Sequence, residues 1–191
     1  MTALHGARLP LVLASSSPQR RALLERLGVC FQVRPVHVPE LDRGDPATVA
    51  LSNALNKARA ARAVERAEAV IGCDTIVALG GKIYGKPANE RAARATLRAL
   101  SAQTHEVISG LALLLPEGER TATACTAVSF RELGEQLLAW YLALGEWRGR
   151  AGGYAVQGAG AALVRRVEGD YENVVGLPLA TLLDLYPRLL P

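Results

Sequence analysis

The chain has 191 residues, of which 50% are hydrophobic and 21% are charged, and its formal net charge is +4 at pH 7. This is enough apolar material for one globular core, so we expect residues 1–191 to form a single domain. No apolar run approaches the ~20 residues that a membrane-spanning helix requires, and residues 1–9 lack the continuous apolar core of a secretory signal. Composition therefore argues against a membrane protein and favours a cytoplasmic one.

The first third of the chain predicts two strands, each followed by a helix. Both helices begin with a capping side chain before a proline, in Ser17-Pro18 and Asp45-Pro46. The cap accepts hydrogen bonds from free amides, and the fixed φ of proline suits the first helical position, where its missing N–H costs nothing. Together with the apolar periodicity, these signals predict strands at residues 9–14 and 30–36 and helices at residues 18–27 and 46–66.

The rest of the chain predicts hairpins alternating with helices. Residues 69–85 contain two apolar half-strands that flank the polar pair Asp74-Thr75, and Gly80-Gly81 folds the end of this segment into a hairpin. The further elements that we expect are a helix capped near Asn89 and ending near Leu100, a hairpin of residues 104–115 and 119–130, a helix at 134–144, a strand at 161–167 and a last helix from about Pro178.

This order of elements indicates the fold class. Helical crossovers join parallel strands, whereas hairpins join antiparallel ones, and the chain contains both. We therefore expect an α/β fold with a mixed, twisted sheet, flanking helices and two lobes around a central cleft. The sequence contains no internal repeat or low-complexity linker that would divide it.

Composition also narrows the class of ligand. The cysteines, Cys30, Cys73 and Cys125, have no CxxC spacing, so we expect neither a disulfide framework nor a cysteine zinc site. The arginines are spread at helical spacing and form no dense basic run with interleaved aromatic residues, which argues against a nucleic-acid partner. The excess positive charge suits a small anionic ligand.

Three serines, Ser15 to Ser17, separate the first strand from the first helix. The free amides and the dipole at a helix start favour negative charge. Arg20 and Arg21 stand in this first turn, where the dipole prefers acidic side chains, which suggests that the anion comes from a ligand. An ordinary capped helix with surface arginines is the alternative that this stretch alone leaves open.

The polar pair Asp74-Thr75 lies within an otherwise apolar strand. An unpartnered buried polar group costs roughly 1–3 kcal/mol, so these side chains must be partnered, solvated or placed at a cleft. Asp74 and Glu40, with Lys57 and Lys86, form a set suited to metal-assisted phosphate chemistry, in which carboxylates hold Mg²⁺ or position water and cations neutralise phosphate. The sequence shows no histidine pair at metal spacing, no G-x-S-x-G motif and no P-loop.

Short segments along nearly the whole chain, in this order and spacing, resemble the Maf family of nucleoside triphosphate pyrophosphatases. The matching pieces are LASSSPQRRALLERLG (13–28), Glu40, ALNKA (54–58), GCDTIV (72–77), GKP (85–87), GGYAVQG (152–158), YENVVGLP (171–178) and VVGLPLATLL (174–183). The resemblance implies hydrolysis between the α and β phosphates, which gives a monophosphate and pyrophosphate, with a divalent cation, Mg²⁺ or Mn²⁺.

The resemblance also implies roles for individual residues. Asp74 would be the proton acceptor for the attacking water and a metal ligand, with Glu40 near the metal. The residues implied to bind phosphate or substrate are Ser15, Ser17, Arg20, Lys57 and Lys86.

Three positions bear on the choice of base. Thr75 and Gln157 match the dTTP/UTP type of the family, and a glutamine amide can pair with the carbonyl and imide N–H of uracil or thymine. Gln19 stands where that type usually has an arginine, in a position thought to tune base choice. Two smaller departures are Ala22 in place of an acid and Arg150 in place of a lysine.

The resemblance leaves two alternatives open. One is a pyrophosphatase that prefers 7-methyl-GTP, and the other is a non-hydrolysing nucleotide-binding regulator of septum formation or cell division. The partner that we expect is a nucleoside triphosphate, without nucleic acid or membrane, and a homodimer stays open.

Overall fold

The computed structural model describes residues 9–62 and 67–190. Its strands are β1 (Leu11–Leu13), β2 (Gln32–Val33), β3 (Ala69–Leu79), β4 (Lys82–Tyr84), β5 (Thr104–Leu115), β6 (Gly118–Phe130) and β7 (Val164–Glu168). Its α-helices are α1 (Pro18–Arg26), α2 (Pro46–Ala61), α3 (Glu90–Leu100), α4 (Glu135–Leu144), α5 (Tyr171–Val175) and α6 (Leu179–Leu185), and short 3-10 helices span Ala151–Gly153 and Ala159–Leu163.

Within those ranges the strands form one seven-stranded sheet. The order is β2-β1-β3-β5-β6-β7, with β4 also paired to β3. The β1–β2 and β1–β3 pairs are parallel and the other pairs are antiparallel. The predicted mixed α/β fold is therefore confirmed.

One edge of β3 is interrupted. β5 pairs along nearly all of β3 on one side, so β1 and β4 must share the other. β1 pairs with residues 69–71 and β4 with residues 77–79. Among the described residues, no strand pairs with this edge between Ile71 and Val77, so the middle of β3 faces a gap in the sheet.

The packing of α2 on the sheet depends on two glycines. A Cβ on Gly72 would lie 2.1 Å from the carbonyl oxygen of Ala54, and one on Gly110 would lie 2.4 Å from the backbone of Ala50. Ala50, Ala54 and the buried Ala58 follow at four-residue spacing and form the ridge of α2 that meets the strands. This close approach brings the neighbouring α2 side chains to β3.

The two largest apolar clusters pack at opposite ends of β3 and β5. One contains Ile71 and Leu113 and joins β1, α1 and α6. The other contains Val77 and Val107 and joins α3 and α4. The two lobes around a central cleft stay a prediction. No helix in residues 9–62 and 67–190 combines the length and apolar character needed to cross a bilayer.

The apolar segments around β3 and β2 differ from their predicted extents. The two half-strands around Asp74-Thr75 are one continuous strand, because β5 pairs across the polar residues. The predicted strand 30–36 is reduced to Gln32–Val33. The Arg34 N–H still donates to the Leu13 carbonyl at 2.9 Å, but Pro35 lacks an N–H for further pairing.

Three later boundaries also differ. α2 ends at Ala61, since Arg62 has extended backbone, and the predicted continuation at 63–66 lies outside the described residues. The predicted strand 161–167 begins as a 3-10 helix and becomes β7 only at Val164. α5 was not predicted; it is a single short turn capped by Asp170.

Candidate active site

A pocket of about 400 Å³ lies beside the middle of β3. The segments that line it are the serine turn at 14–20, residues 148–151 and residues 174–176, together with Lys57, Thr75 and Lys86. The first segment follows β1 and Lys86 follows β4, so the pocket is located where the edge of β3 is unpaired. The gap in the sheet is therefore the entrance to the interior polar residues of β3.

The serine turn is ordered by its own hydrogen bonds. The Ser17 hydroxyl caps α1 by accepting the Arg20 backbone N–H at 3.4 Å, and the Ser17 N–H donates to Ser15 Oγ at 3.2 Å. The Ser17 hydroxyl donates to Gln19 Oε1 at 3.2 Å. The capped start of α1 thus faces the pocket, and a helix start is favourable for an anion.

The Arg20 guanidinium is held on all three nitrogens. Nε donates to the Gly176 carbonyl at 2.8 Å, and the other two nitrogens donate to Ser15 Oγ at 3.1 Å and Thr75 Oγ1 at 3.2 Å. All three acceptors are neutral. These contacts therefore orient the guanidinium at the pocket without a direct ion pair to a carboxylate among the described residues.

Asp74 lies on the opposite face of β3, against α2. Its Oδ1 accepts from Lys57 Nζ at 2.5 Å, and its Oδ2 accepts from Asn53 Nδ2 at 3.0 Å. Glu40 Oε1 lies 2.7 Å from the same Lys57 ammonium. Asp74 and Lys57 are buried and Glu40 is partly exposed, so two carboxylates converge on one cation at the edge of the pocket.

The surroundings keep Glu40 ionised. Burial raises the pKa of its carboxyl group, but the hydrogen bond from Lys57 and the charges of Lys57, Lys86 and Arg20 outweigh burial and lower the pKa below its ordinary value. The carboxylate form is therefore favoured at neutral pH.

The donor set fits a hard divalent cation. In the described part of the chain, no group of three or more His, Cys, Asp or Glu side chains is arranged to hold a metal. Mg²⁺ is commonly held by one or two carboxylates, with substrate phosphates and water as its remaining ligands. The converging Glu40 and Asp74 carboxylates supply such a pair.

The structure brings most of the predicted site residues together. The predicted residues that line the pocket are Ser15, Ser17, Gln19, Arg20, Glu40, Lys57, Thr75 and Lys86. Asp74 joins them through Lys57. Gln157 is exposed and is not among the lining residues, so the structure does not bring it into the pocket.

Sequence reasoning missed several polar residues of the site. Asn53 binds Asp74, and Ser109 lies 2.8 Å from Thr75, oxygen to oxygen. Arg148 lines the pocket, as does Arg150, noted from sequence only as a departure from lysine. The available signal for Asn53 was its place one helical turn before Lys57, on the same face of α2.

Comparison with known proteins agrees with the resemblance seen in the sequence. A family model described as Maf-like protein matches residues 10–189. The chain belongs to the Maf family. Among its curated Maf relatives is a dTTP/UTP pyrophosphatase of Pyrococcus furiosus, which is 41% identical over 176 residues that cover 92% of this chain and 93% of the relative.

Two bacterial relatives carry the same name. The dTTP/UTP pyrophosphatase of Deinococcus radiodurans is 45% identical over 92% of this chain and 90% of its own length. That of Nitratidesulfovibrio vulgaris is 44% identical over 94% of this chain and 87% of its own length. The range matched by the family model, residues 10–189, includes every segment that lines the pocket.

Proposed function

We propose that this Maf-family protein is a nucleoside triphosphate pyrophosphatase that hydrolyses dTTP, UTP and related or modified pyrimidine nucleotides to the monophosphate and pyrophosphate. The observation that carries the proposal is the juxtaposition of a buried, doubly hydrogen-bonded carboxylate, Asp74, with a strongly cationic pocket. The names of the relatives supply the pyrimidine triphosphates as the substrate class.

The charge of the pocket suits a polyphosphate tail. The lining contains the basic residues Arg20, Lys57, Lys86, Arg148 and Arg150 and the single acidic residue Glu40. Arg150 Nε is buried and has no hydrogen-bond partner within the described residues, so a ligand oxygen could satisfy this donor. Arg20 and the serine turn at the start of α1 supply oriented donors for a phosphate group.

Asp74 is the proposed general base. Lys57 and Asn53 each hold one of its oxygens, so the carboxylate keeps a fixed orientation while it accepts a proton from the attacking water. Glu40 and Asp74 are the residues that would hold a divalent cation, which supplies Lewis-acid stabilisation of phosphate charge when bound. Arg20 and Lys86 neutralise the negative charge of the bound triphosphate.

Base selection is assigned to Gln19, Thr75 and Gln157. Gln19 lines the pocket, and its Oε1 already accepts from Ser17. Thr75 acts through Arg20, to which its hydroxyl is bonded. The exposed Gln157 is the proposed partner of the pyrimidine imide edge.

Analysis of the products tests this function. The purified protein is incubated with UTP, dTTP, modified pyrimidine triphosphates and 7-methyl-GTP, each with Mg²⁺ or Mn²⁺, beside Asp74→Asn as the matched control. We expect pyrophosphate and the monophosphate from the pyrimidine nucleotides, and no turnover by the variant. Release of inorganic phosphate alone, preference for 7-methyl-GTP, or tight binding without hydrolysis would each overturn the proposal.

A further inference from the structure

Asn53 is a buried side chain with every polar hydrogen in use. It is 1% exposed and lies on the face of α2 that packs against the sheet. Its Oδ1 accepts the Leu41 backbone N–H at 2.8 Å, and its Nδ2 donates to the Leu41 carbonyl at 2.9 Å and to Asp74 Oδ2 at 3.0 Å. The amide therefore joins three points of the chain: α2, β3 and the connection before α2.

These partners fix the orientation of the amide. Exchanging its oxygen and nitrogen would place NH₂ against the N–H of Leu41 and a carbonyl oxygen against the Asp74 carboxylate. Both contacts would be repulsive. Only one orientation satisfies all three partners, so the side chain holds Leu41 and Asp74 in a defined relation to each other.

The hydrogen bonds between Asn53 and Leu41 hold the segment that carries Glu40. Leu41, the next residue, has a side chain that is 52% exposed, so burial of that side chain does not hold the backbone at this point. The two hydrogen bonds between the Asn53 side chain and the Leu41 backbone hold it instead, as the paired backbone hydrogen bonds between two strands would. Lys57, one helical turn further along α2, binds the Glu40 carboxylate.

An amide at this position is costly without a function. The ridge beside it consists of alanines, and burying a polar side chain requires that all of its hydrogen bonds be recovered. An apolar residue would pack on the sheet without that requirement. A buried polar residue that interrupts an apolar pattern tends to occur at a functional site.

We propose that Asn53 is a positioning residue that sets the separation and orientation of the Glu40 and Asp74 carboxylates. It does so by fastening the backbone beside Glu40 and one oxygen of Asp74 to the same amide group. This inference rests on the proposed function for its kinetic consequence, whereas its structural consequence can be measured without any substrate.

The test compares Asn53→Leu with Asn56→Leu. The two variants carry the same substitution on the same helix, but Asn56 is exposed. In Asn53→Leu we expect the Leu41 amide to exchange its hydrogen about five- to tenfold faster, since its acceptor is lost. We also expect Mn²⁺ affinity, measured without nucleotide, and kcat to fall by roughly 10–100-fold, with KM changed less than about threefold. Asn56→Leu should match the unmodified protein in every measurement.

The outcomes separate the two proposals. Unchanged Leu41 exchange and unchanged Mn²⁺ affinity in folded Asn53→Leu would overturn the role of Asn53, whatever the activity. A lower melting temperature with unchanged kcat in Asn53→Leu would show that Asn53 has only a structural role, and would also overturn the proposal. Faster Leu41 exchange and weaker Mn²⁺ binding in a protein that hydrolyses no nucleotide would overturn only the proposed function. Asn53→Ala, which removes the amide without adding bulk, provides the same measurements if the leucine variant does not fold.

Discussion

The two faces of β3 meet the pocket with opposite electrostatic designs. On the α2 face, Lys57 contacts the carboxylates of Asp74 and Glu40, so its positive charge is locally compensated. On the other face, Arg20 is bonded to two hydroxyls and a carbonyl, so its charge is oriented without a direct ion pair and acts on Glu40 only through space. Adjacent residues of one strand, Asp74 and Thr75, supply the two designs because successive side chains of a strand point to opposite faces.

This difference suggests that one face of β3 positions the proton acceptor and the other face binds the substrate. A compensated, buried cluster holds a carboxylate in one orientation, as a proton acceptor requires. A guanidinium that is oriented by neutral acceptors keeps its charge available for an anion, as substrate binding requires. The gap between β1 and β4 lets a ligand reach both faces at the unpaired edge of β3.

The largest expected effect breaks the compensated face. Lys57→Met leaves the buried Asp74 carboxylate beside Glu40 without their shared cation. Removal of one partner of a buried ion pair costs about 3–5 kcal/mol, so we expect the free energy of unfolding, measured in urea, to fall by that order and hydrolysis to be lost. Adding Asp74→Asn should restore part of the stability, because it removes the stranded charge. If the changes in the free energy of unfolding caused by Lys57→Met and Asp74→Asn simply add in the double variant, the two residues are not coupled.

His105 lies on the same face of the sheet as Thr75. This histidine is buried, and its Nε2 lies 2.9 Å from the hydroxyl of Tyr154, a residue of the pocket lining. Burial lowers the pKa of His105 to about 4. Since the unfolded chain binds this proton near pH 6.5, the stabilisation from the neutral imidazole is complete above that pH and is lost as the pH falls toward 4.

Acidification therefore tests whether the fold keeps His105 neutral. We expect up to about 3 kcal/mol of unfolding free energy to be lost through His105 between pH 7 and pH 4. His105→Phe should lack this component, so the difference between the two proteins in urea denaturation isolates it from the titration of carboxylates. Equal losses in both proteins would show that His105 is not kept neutral by the fold.

Removal of the Arg20 charge should weaken substrate binding more than it slows catalysis. A hydrogen bond to a charged group contributes about 1.5–3 kcal/mol, so Arg20→Ala should raise KM roughly 10–100-fold with a smaller change in kcat. Arg20→Lys keeps the charge but cannot reach Gly176, Ser15 and Thr75 at once, and we expect it to recover only part of the affinity. Steady-state kinetics with UTP measure both, and an unchanged KM in Arg20→Ala would argue against the division of tasks.

The smallest expected effect concerns the support behind Arg20. Ser109→Ala removes the buried hydroxyl that lies 2.8 Å from Thr75 Oγ1, and should cost about 1 kcal/mol of stability and raise KM about two- to fivefold. Ser129→Ala is the matched control, since it breaks an exposed hydroxyl pair, Thr104–Ser129, of the same length. If Ser129→Ala changes KM as much as Ser109→Ala does, the proposal that Ser109 supports Arg20 through the Thr75 hydroxyl is wrong.

Local signals predicted the parts of the fold that local interactions determine. The capping pairs Ser17-Pro18 and Asp45-Pro46 begin helices as expected, because a cap and its proline act within one turn. α5 was missed since it is one short turn whose buried Asn173 binds Val107 and Thr126, residues distant in sequence.

The site was predictable in its charged residues and less so in its supports. Asp74 was expected because a carboxylate within an apolar strand needs a partner, whereas Lys57 and Glu40 were expected as members of a set suited to phosphate chemistry and from the family resemblance. The gap in the sheet and the close approach of α2 at Gly72 and Gly110 arise from long-range packing, which has no signature in a single segment. Asn53 depends on that approach, so its role became visible only in the folded chain.

Nucleotide binding by Asp74→Asn tests the division between the two faces most directly. The Arg20 face remains intact in this variant. Calorimetric titration with UTP should therefore give a dissociation constant within about threefold of that of the unmodified protein measured under non-hydrolysing conditions. Turnover should fall by roughly 10²–10⁴-fold. Loss of UTP binding together with turnover, or turnover that persists, would contradict the assignment of chemistry to the Asp74 face and binding to the Arg20 face.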